Sequence, residues 1–202
     1  MPVTIAHQPL PAPPLEPRRK RWTRTEFEFL ETTAMFEGKR YELIDGELID
    51  KMSMNEPHAV ALTMLAVWLA RVFGIRLRMQ VPLDVRPEDN PTNEPQPDAV
   101  VLRHSITQLK GRRPGPADVA MVIEIADSSL QLDTREKAGL YARAGIPEYW
   151  VLDVPGRRLF VHRDPDGAVY RSIAAYGEDE VLAPLAAPAE SVAARDFLGE
   201  VC

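Results

Sequence analysis

Two carboxylates in the sequence are candidate ligands for a metal ion. Asp98 comes directly before the apolar run 99–102, and Glu124 interrupts the apolar run 119–126. An ionised carboxylate inside an apolar strand is costly unless a cation compensates it. If the two runs are neighbouring strands, side-chain alternation brings both carboxylates to adjacent positions. We therefore predict that Asp98 and Glu124 converge on Mg²⁺ or Mn²⁺, since hard cations prefer oxygen ligands.

A lysine on the following helix extends this cluster. Lys137, Leu140 and Tyr141 share one face of a helix predicted over 133–144, so the lysine should point towards the sheet. The chemistry that fits is phosphodiester hydrolysis, in which a metal activates water and an ammonium group orients it or stabilises transition-state charge. Two simpler interpretations stay open: Glu124 and Lys137 form only a buried ion pair, and Asp98 only caps a strand.

The elements that must position these residues follow from local patterns. Helical spacing and helix-start signals predict helices over 24–36, 57–73, 133–144 and 190–198. Alternation and apolar runs predict strands over 41–44, 47–50, 76–81, 97–102, 119–126, 148–154, 158–163 and 168–174. The turn Asp45-Gly46 predicts a hairpin with Glu42 on one strand. The stripe that should bury helix 57–73 consists of Val60, Met64, Val67 and Trp68.

Length and composition predict one folded unit. The chain has 202 residues with 45% hydrophobic and 27% charged side chains, enough for a single α/β core. Residues 1–22 read as a flexible proline-rich tail and residues 23–202 as the domain. No membrane span is expected, because the uncharged apolar stretch 59–70 is short. Cys202 is the sole cysteine, and with no secretion signal this predicts a cytoplasmic protein.

The charge balance argues against a nucleic-acid partner overall. The 24 basic and 30 acidic residues give a formal charge of −6, whereas phosphate binding depends on lysine and arginine. Basic residues do cluster at 18–24 and 103–113, either as a local track for phosphates or as solvated surface. No glycine-rich phosphate loop and no serine-esterase motif occurs, which excludes those two hydrolase classes.

Four segments of the chain carry a resemblance to known proteins: 41–48, 97–101, 122–125 and 137–150. They resemble the Uma-two family of predicted bacterial endonucleases, which belongs to the PD-(D/E)xK restriction-endonuclease-like superfamily. The resemblance extends from residue 23 to about residue 175. It implies a single domain with a restriction-endonuclease-like core, in which helices flank a mixed sheet, and it implies that Asp98 and Glu124 bind the metal.

The resemblance also suggests further site residues. The superfamily usually carries a lysine two positions after the glutamate, where this chain has Ala126. The resemblance implies that the family supplies that lysine from the next helix, here Lys137. Glu42 matches an auxiliary ligand of related nucleases, and His58 matches a histidine common at this helix start. Without the resemblance, Glu42 would be an exposed hairpin carboxylate and His58 a surface or capping residue.

The expected function is therefore a Mg²⁺- or Mn²⁺-dependent endonuclease that hydrolyses double-stranded DNA by activated water attack. A homodimer is expected, since cutting two strands needs two sites. Two alternatives remain open at this stage. The chain could be an inactive module that binds DNA or a partner protein, or a hydrolase that acts on RNA. Cleavage of DNA and of RNA can use the same active-site chemistry, and the choice of substrate then depends on loops such as 86–96 and 104–118.

Deleting residues 1–17 should leave the melting temperature nearly unchanged. This segment holds six prolines and few large apolar groups, so it has little surface to bury. Calorimetry of the truncated and full-length chains measures the difference. A large drop on truncation would show that the segment docks on the domain.

Overall fold

The computed structural model of the chain describes residues 19–51 and 55–199. Its centre is a six-stranded mixed sheet. Across the sheet the strands are β3 (Leu77–Met79), β4 (Ala99–Leu102), β5 (Val119–Ala126), β6 (Glu148–Asp153), β7 (Arg158–Asp166) and β8 (Val169–Gly177). Only β5 and β6 run parallel, and the other neighbours are antiparallel. The antiparallel set predicted over the last three of these strands is confirmed.

Helices cover both faces of β5, which explains its continuous apolar run. All eight of its residues are buried. Met121, Ile123 and Ile125 pack on one face with helix α2 (Glu56–Phe73). Val122 and Ala126 pack on the other face. That second face is covered by α3 (Leu130–Leu132), a π-helical turn (Asp133–Lys137) and α4 (Ala138–Arg143). Alternation directs Glu124 to the second face.

Helix α2 buries a different stripe from the predicted one. Its buried residues are Ala61, Leu65, Leu69 and Phe73. Met64 is 47% exposed and Val67 is 66% exposed, so the predicted stripe is wrong at these two positions. The helix is apolar around most of its circumference, and spacing alone therefore could not identify the buried face.

Among the described residues, the segment Glu56–Arg76 is the one helix long and apolar enough to cross a membrane by length and composition. A core helix of a soluble protein meets the same criterion. In this structure Leu65, Leu69 and Phe73 pack in the core on the sheet.

A hairpin outside the sheet is the element that approaches the site from the N-terminal half. It consists of β1 (Tyr41–Ile44) and β2 (Glu47–Asp50), as predicted. Both turn residues adopt left-handed backbone, with φ of 47° at Asp45 and 76° at Gly46. The Leu43 N–H donates to the Glu94 carbonyl at 3.3 Å, and the Glu94 N–H donates back at 2.7 Å. The hairpin is thereby fixed to the loop that leads into β4.

The chain ends differ most from expectation. Helix α1 (Arg24–Glu31) begins at the predicted capping box but stops early, and a 3-10 turn (Ala34–Phe36) follows. The helix predicted over 190–198 is wrong in its first half, where β10 (Val192–Ala193) pairs with β9 (Val181–Leu182). Of the predicted tail, residues 1–18 lie outside the described residues. Trp22 donates to the Gly46 carbonyl at 2.8 Å.

His162 gives the fold a measurable pH dependence. It is buried on β7, with ring centroids 5.3 Å from Tyr149 and 5.7 Å from Tyr170. Burial lowers its pKa below the usual 6.5, and a backbone hydrogen bond with Tyr149 opposes this shift only partly. The unfolded chain therefore binds a proton that the folded state resists, so stability should fall as the pH drops below about 6.5 towards the folded pKa.

We predict that His162→Phe flattens this loss of stability, because it keeps an aromatic ring and removes the titration. Urea denaturation of both proteins between about pH 7 and about pH 5 measures the difference in slope. Equal slopes for the two proteins would show that His162 does not resist protonation in the fold.

Candidate active site

Asp98 and Glu124 meet where β4 lies against β5. Ala99 is paired with Ile123 in the antiparallel register, so the preceding Asp98 lies opposite Glu124. The Asp98 N–H is 3.4 Å from Glu124 Oε2. Asp98 Oδ2 accepts a hydrogen bond of 2.9 Å from the Ile125 N–H. Both carboxylates are buried, and the structure brings them together as the sequence predicted.

Lys137 lies behind this pair and is surrounded by carboxylates. Its Nζ is 2.7 Å from Glu42 Oε1, 3.0 Å from Glu124 Oε1 and 3.3 Å from Asp133 Oδ1. An ammonium group has three donors, and three carboxylate oxygens face them here. The predicted inward face of this helix is found, since Leu140 and Tyr141 are buried beside Lys137. The lysine therefore contacts the carboxylates from the inner side of the site.

The π-helical turn shapes this inner side. It spans Asp133–Lys137 and brings its first and last side chains into contact. Ser129 Oγ holds Asp133 Oδ2 at 2.5 Å. Four residues after Lys137, the Tyr141 hydroxyl donates to Glu124 Oε1 at 3.1 Å. Lys137 and Tyr141 thus fix the same oxygen of Glu124. Such turns occur frequently at functional sites.

Lys51 and His58 lie on the outer side. Lys51 Nζ is 3.9 Å from Asp98 Oδ1 and 4.0 Å from Glu124 Oε2. It donates to the Gln96 carbonyl at 2.5 Å. His58 Nε2 is 3.6 Å from Asp98 Oδ2. His58 stands in the first turn of α2, whose N-cap Asn55 accepts the His58 N–H at 3.1 Å.

These contacts set the charge of each group. Burial raises the pKa of Asp98, but the His58 imidazole, the Lys51 ammonium and the Ile125 N–H together lower it well below its usual range. Burial raises the pKa of Glu124 above its usual range, against the opposing effect of Lys137 and Lys51. Burial lowers the pKa of Lys137, but its carboxylate neighbours raise it more, so the ammonium form is strongly favoured.

The donor set fits a hard divalent cation. A pocket of about 200 Å³ opens over Asp98 and Glu124. Around it, four buried carboxylates and two ammonium groups leave a formal charge of −2 when all are ionised; they are Glu42, Asp98, Glu124, Asp133, Lys51 and Lys137. The described residues contain no group of three or more His, Cys, Asp or Glu side chains arranged around a metal position. Mg²⁺ commonly binds through one or two carboxylates and keeps several waters, which suits this pair.

Comparison with known proteins identifies the family. The model of the Uma2 family, described as "Putative restriction endonuclease", matches residues 25–194. The chain belongs to the Uma2 family. A crystal structure from Anabaena variabilis ATCC 29413, described as a "putative nuclease belonging to DUF820", matches this Uma2 protein with a TM-score of 0.62 and 16% identity, over 85% of this chain and 95% of that one. None of the curated proteins compared with it matches.

These matches confirm the family and the fold that the four sequence segments predicted. The likeness to the crystal structure shows that the Uma2 protein has a single-domain mixed α/β fold, with helices on both sides of a mixed sheet.

Several side chains of the Uma2 site were not predicted. Lys51 follows a strand whose docking on the Gln96 loop has no local sequence signal. Gln80 has an unusual left-handed backbone with φ of 49°, and its Nε2 is 3.4 Å from Asp98 Oδ1. Asp133 could have been found, because it stands four residues before Lys137 on the inward face.

The second basic cluster supplies fewer free charges than its sequence suggests. Arg112 Nη1 is 2.5 Å from Asp118 Oδ2, and Arg113 Nη1 is 2.6 Å from Glu94 Oε2. These two arginines therefore form ion pairs within the domain, which leaves them less available to bind phosphates.

We predict that Lys137→Met destabilises the Uma2 protein by about 3–5 kcal/mol in the absence of metal. The substitution keeps most of the volume but leaves Glu42, Glu124 and Asp133 without their shared cation. Urea denaturation measures the change, with Lys110→Met as the control for losing a lysine at an exposed position. If both variants lose the same small amount, Lys137 does not hold the site together.

Proposed function

We propose that this Uma2 protein is a Mg²⁺- or Mn²⁺-dependent endonuclease that hydrolyses phosphodiester bonds. One observation carries the proposal: Asp98 and Glu124 each have one oxygen held by a close hydrogen bond. The other oxygen of each has only a long contact of 3.4 Å, with Gln80 Nε2 or the Asp98 N–H, and lies about 4 Å from Lys51 Nζ. Asp98 Oδ2 is fixed by the Ile125 N–H, and Glu124 Oε1 by Lys137 and Tyr141. The family description, restriction endonuclease, supports the same reaction class.

Some residues of the site would bind the cation, and others position the residues that bind it. Asp98 and Glu124 would hold the cation, which supplies charge to polarise the phosphate and to make a bound water more acidic. Lys137 positions Glu124 from behind, and His58 positions Asp98. Glu42 acts through Lys137, because its Oε1 is 2.7 Å from Nζ and its Oε2 accepts the Gln96 N–H at 3.1 Å.

The hydrolysis consumes one water molecule. The water oxygen forms a bond to phosphorus, the bond from phosphorus to the leaving sugar oxygen breaks, and the proton released by the water ends on that leaving oxygen. The negative charge that builds up on the phosphate oxygens needs fixed positive groups close to the reacting centre. Asp98 and Glu124 are ligands in this scheme and form no covalent bond to the substrate.

We propose double-stranded DNA as the substrate and a homodimer as the acting species, since one site cuts one strand. The formal charge of −6 disfavours long non-specific contact with DNA, so binding should depend on the pocket and its immediate surroundings.

The purified protein should nick or linearise supercoiled plasmid with Mg²⁺ or Mn²⁺ and stop when EDTA is added. Asp98→Asn should abolish cleavage and weaken Mn²⁺ binding by calorimetry, because it removes the charge of one ligand from a folded site. Asp166→Asn is the matched control: it removes an equal charge from an exposed ion pair with Arg171 on the β7–β8 hairpin.

Each outcome sorts the alternatives. Cleavage of RNA but not DNA would show that the proposed substrate is wrong and would leave the proposed phosphodiester hydrolysis unchanged. Mn²⁺ binding or DNA binding without turnover would identify an inactive binding module. Cleavage that resists EDTA and persists in Asp98→Asn would refute a metal site at this residue.

A further inference from the structure

The two lysines of the site are not equivalent. The Lys137 side chain is 3% exposed and is enclosed by carboxylates, whereas the Lys51 side chain is 16% exposed at the pocket. We propose that Lys51 is the lysine that contacts the scissile phosphate, and that Lys137 never touches the substrate. This inference rests on the proposed phosphodiester hydrolysis.

The Lys51 ammonium group has hydrogen-bond donors that a ligand in the pocket could use. Its Nζ is 3.9 Å from Asp98 Oδ1 and 4.0 Å from Glu124 Oε2, too far for a hydrogen bond to either. Within the described residues, the Gln96 carbonyl is the one hydrogen-bond acceptor that Nζ reaches. An ammonium group carries three donors, and the other two meet no hydrogen-bond acceptor among residues 19–51 and 55–199, so they can serve a ligand in the pocket. Lys137 differs, because all three of its donors face carboxylates.

The hairpin holds Lys51 in place. Its N–H donates to the Arg40 carbonyl at 2.8 Å, which extends the β1–β2 pairing by one residue. The Gln96 N–H donates to Glu42 Oε2 and the Gln96 carbonyl accepts from Lys51 Nζ. A residue of β1 and the residue that follows β2 therefore both hold the backbone of Gln96. Gln96 is two residues from Asp98, and this contact therefore fixes the distance between the ammonium group and the carboxylate.

The position suits charge stabilisation during phosphoryl transfer. The two carboxylate oxygens near Lys51 are not held by Lys137, Tyr141 or the Ile125 N–H. Their hydrogen-bond contacts with the protein are long, at 3.4 Å, so they mark where a cation and a phosphate would meet. A lysine ammonium binds phosphate as a compact point charge. Held about 4 Å from both carboxylate oxygens, it lies beside any phosphate oxygen bound there and would stabilise the charge that develops on it.

The chain's cysteine content allows a direct test. In a Cys202→Ser background the chain has no thiol, so Lys51→Cys introduces a unique one. Treatment with 2-bromoethylamine converts that thiol into a lysine-like side chain with an ammonium group, and iodoacetamide converts it into a neutral amide. Mass spectrometry confirms each modification. Lys110→Cys, treated in the same way, controls for the loss and return of a surface charge.

The Mg²⁺-dependent nicking rate of Lys51→Cys should fall by about 10²-fold or more, with little change in melting temperature. Aminoethylation should restore most of the rate, and the amide should not. Lys51→Met and Lys51→Arg give the same comparison if the thiol is not modified: the methionine variant should be inactive and the arginine variant partly active. Normal nicking by folded Lys51→Met would overturn the proposal and leave the nuclease function intact.

A binding measurement separates this inference from the nuclease function. Fluorescence anisotropy with a labelled DNA duplex and Ca²⁺ reports phosphate contact without cleavage. Lys51→Met should weaken binding by about 10-fold relative to Lys110→Met, a loss of the size expected for one charged contact. If the native chain binds the duplex but cleaves nothing, this difference still supports Lys51. If it neither binds nor cleaves, or if the two variants bind equally, the inference fails.

Discussion

A single buried ammonium group, Lys137 Nζ, connects three parts of the chain that are far apart in sequence. Its carboxylate partners come from the hairpin (Glu42), the central strand (Glu124) and the π-helical turn (Asp133). Moving these charges out of water is expensive, and the cost is offset only when each is paired. One ammonium group serves three carboxylates, and burial raises the pKa of two of them, Glu124 and Asp133. Under the proposed metal binding, a cation on the outer side would offset the negative charge that remains.

The site has an inner layer that fixes geometry and an outer layer that faces ligands. Glu124 shows the division within one side chain: Oε1 is held by Lys137 and Tyr141, and Oε2 lies towards Asp98 and Lys51. A ligand carboxylate that is already oriented loses little conformational freedom when the cation binds. Supporting contacts of this kind are what the proposed metal site would need in order to be preorganised.

The sequence predicted the parts of the site that depend on local periodicity. The sequence predicted that Asp98 and Glu124 lie close together because each is next to or within an apolar run, where side chains alternate between the two faces of a strand. It predicted that Lys137 points towards the sheet because helical spacing places it on the same face as Leu140 and Tyr141. The buried face of α2 was not predictable, since Met64 and Leu65 are equally apolar and only packing distinguishes them. Lys51 was missed for another reason. Its position depends on a hairpin that docks on a loop more than forty residues later, a contact without a local signature.

The π-helical turn between Ser129 and Ala138 has a consequence for how the chain can vary in length. A π turn contains one residue more than an α-helical turn, so it is equivalent to a single-residue insertion in a regular helix. Deleting one residue there would restore a regular helix, but it would rotate one flank against the other by about 100°. Lys137 could then no longer contact Asp133 and Glu124 at the same time. Single-residue gaps should therefore be excluded from this stretch in functional relatives.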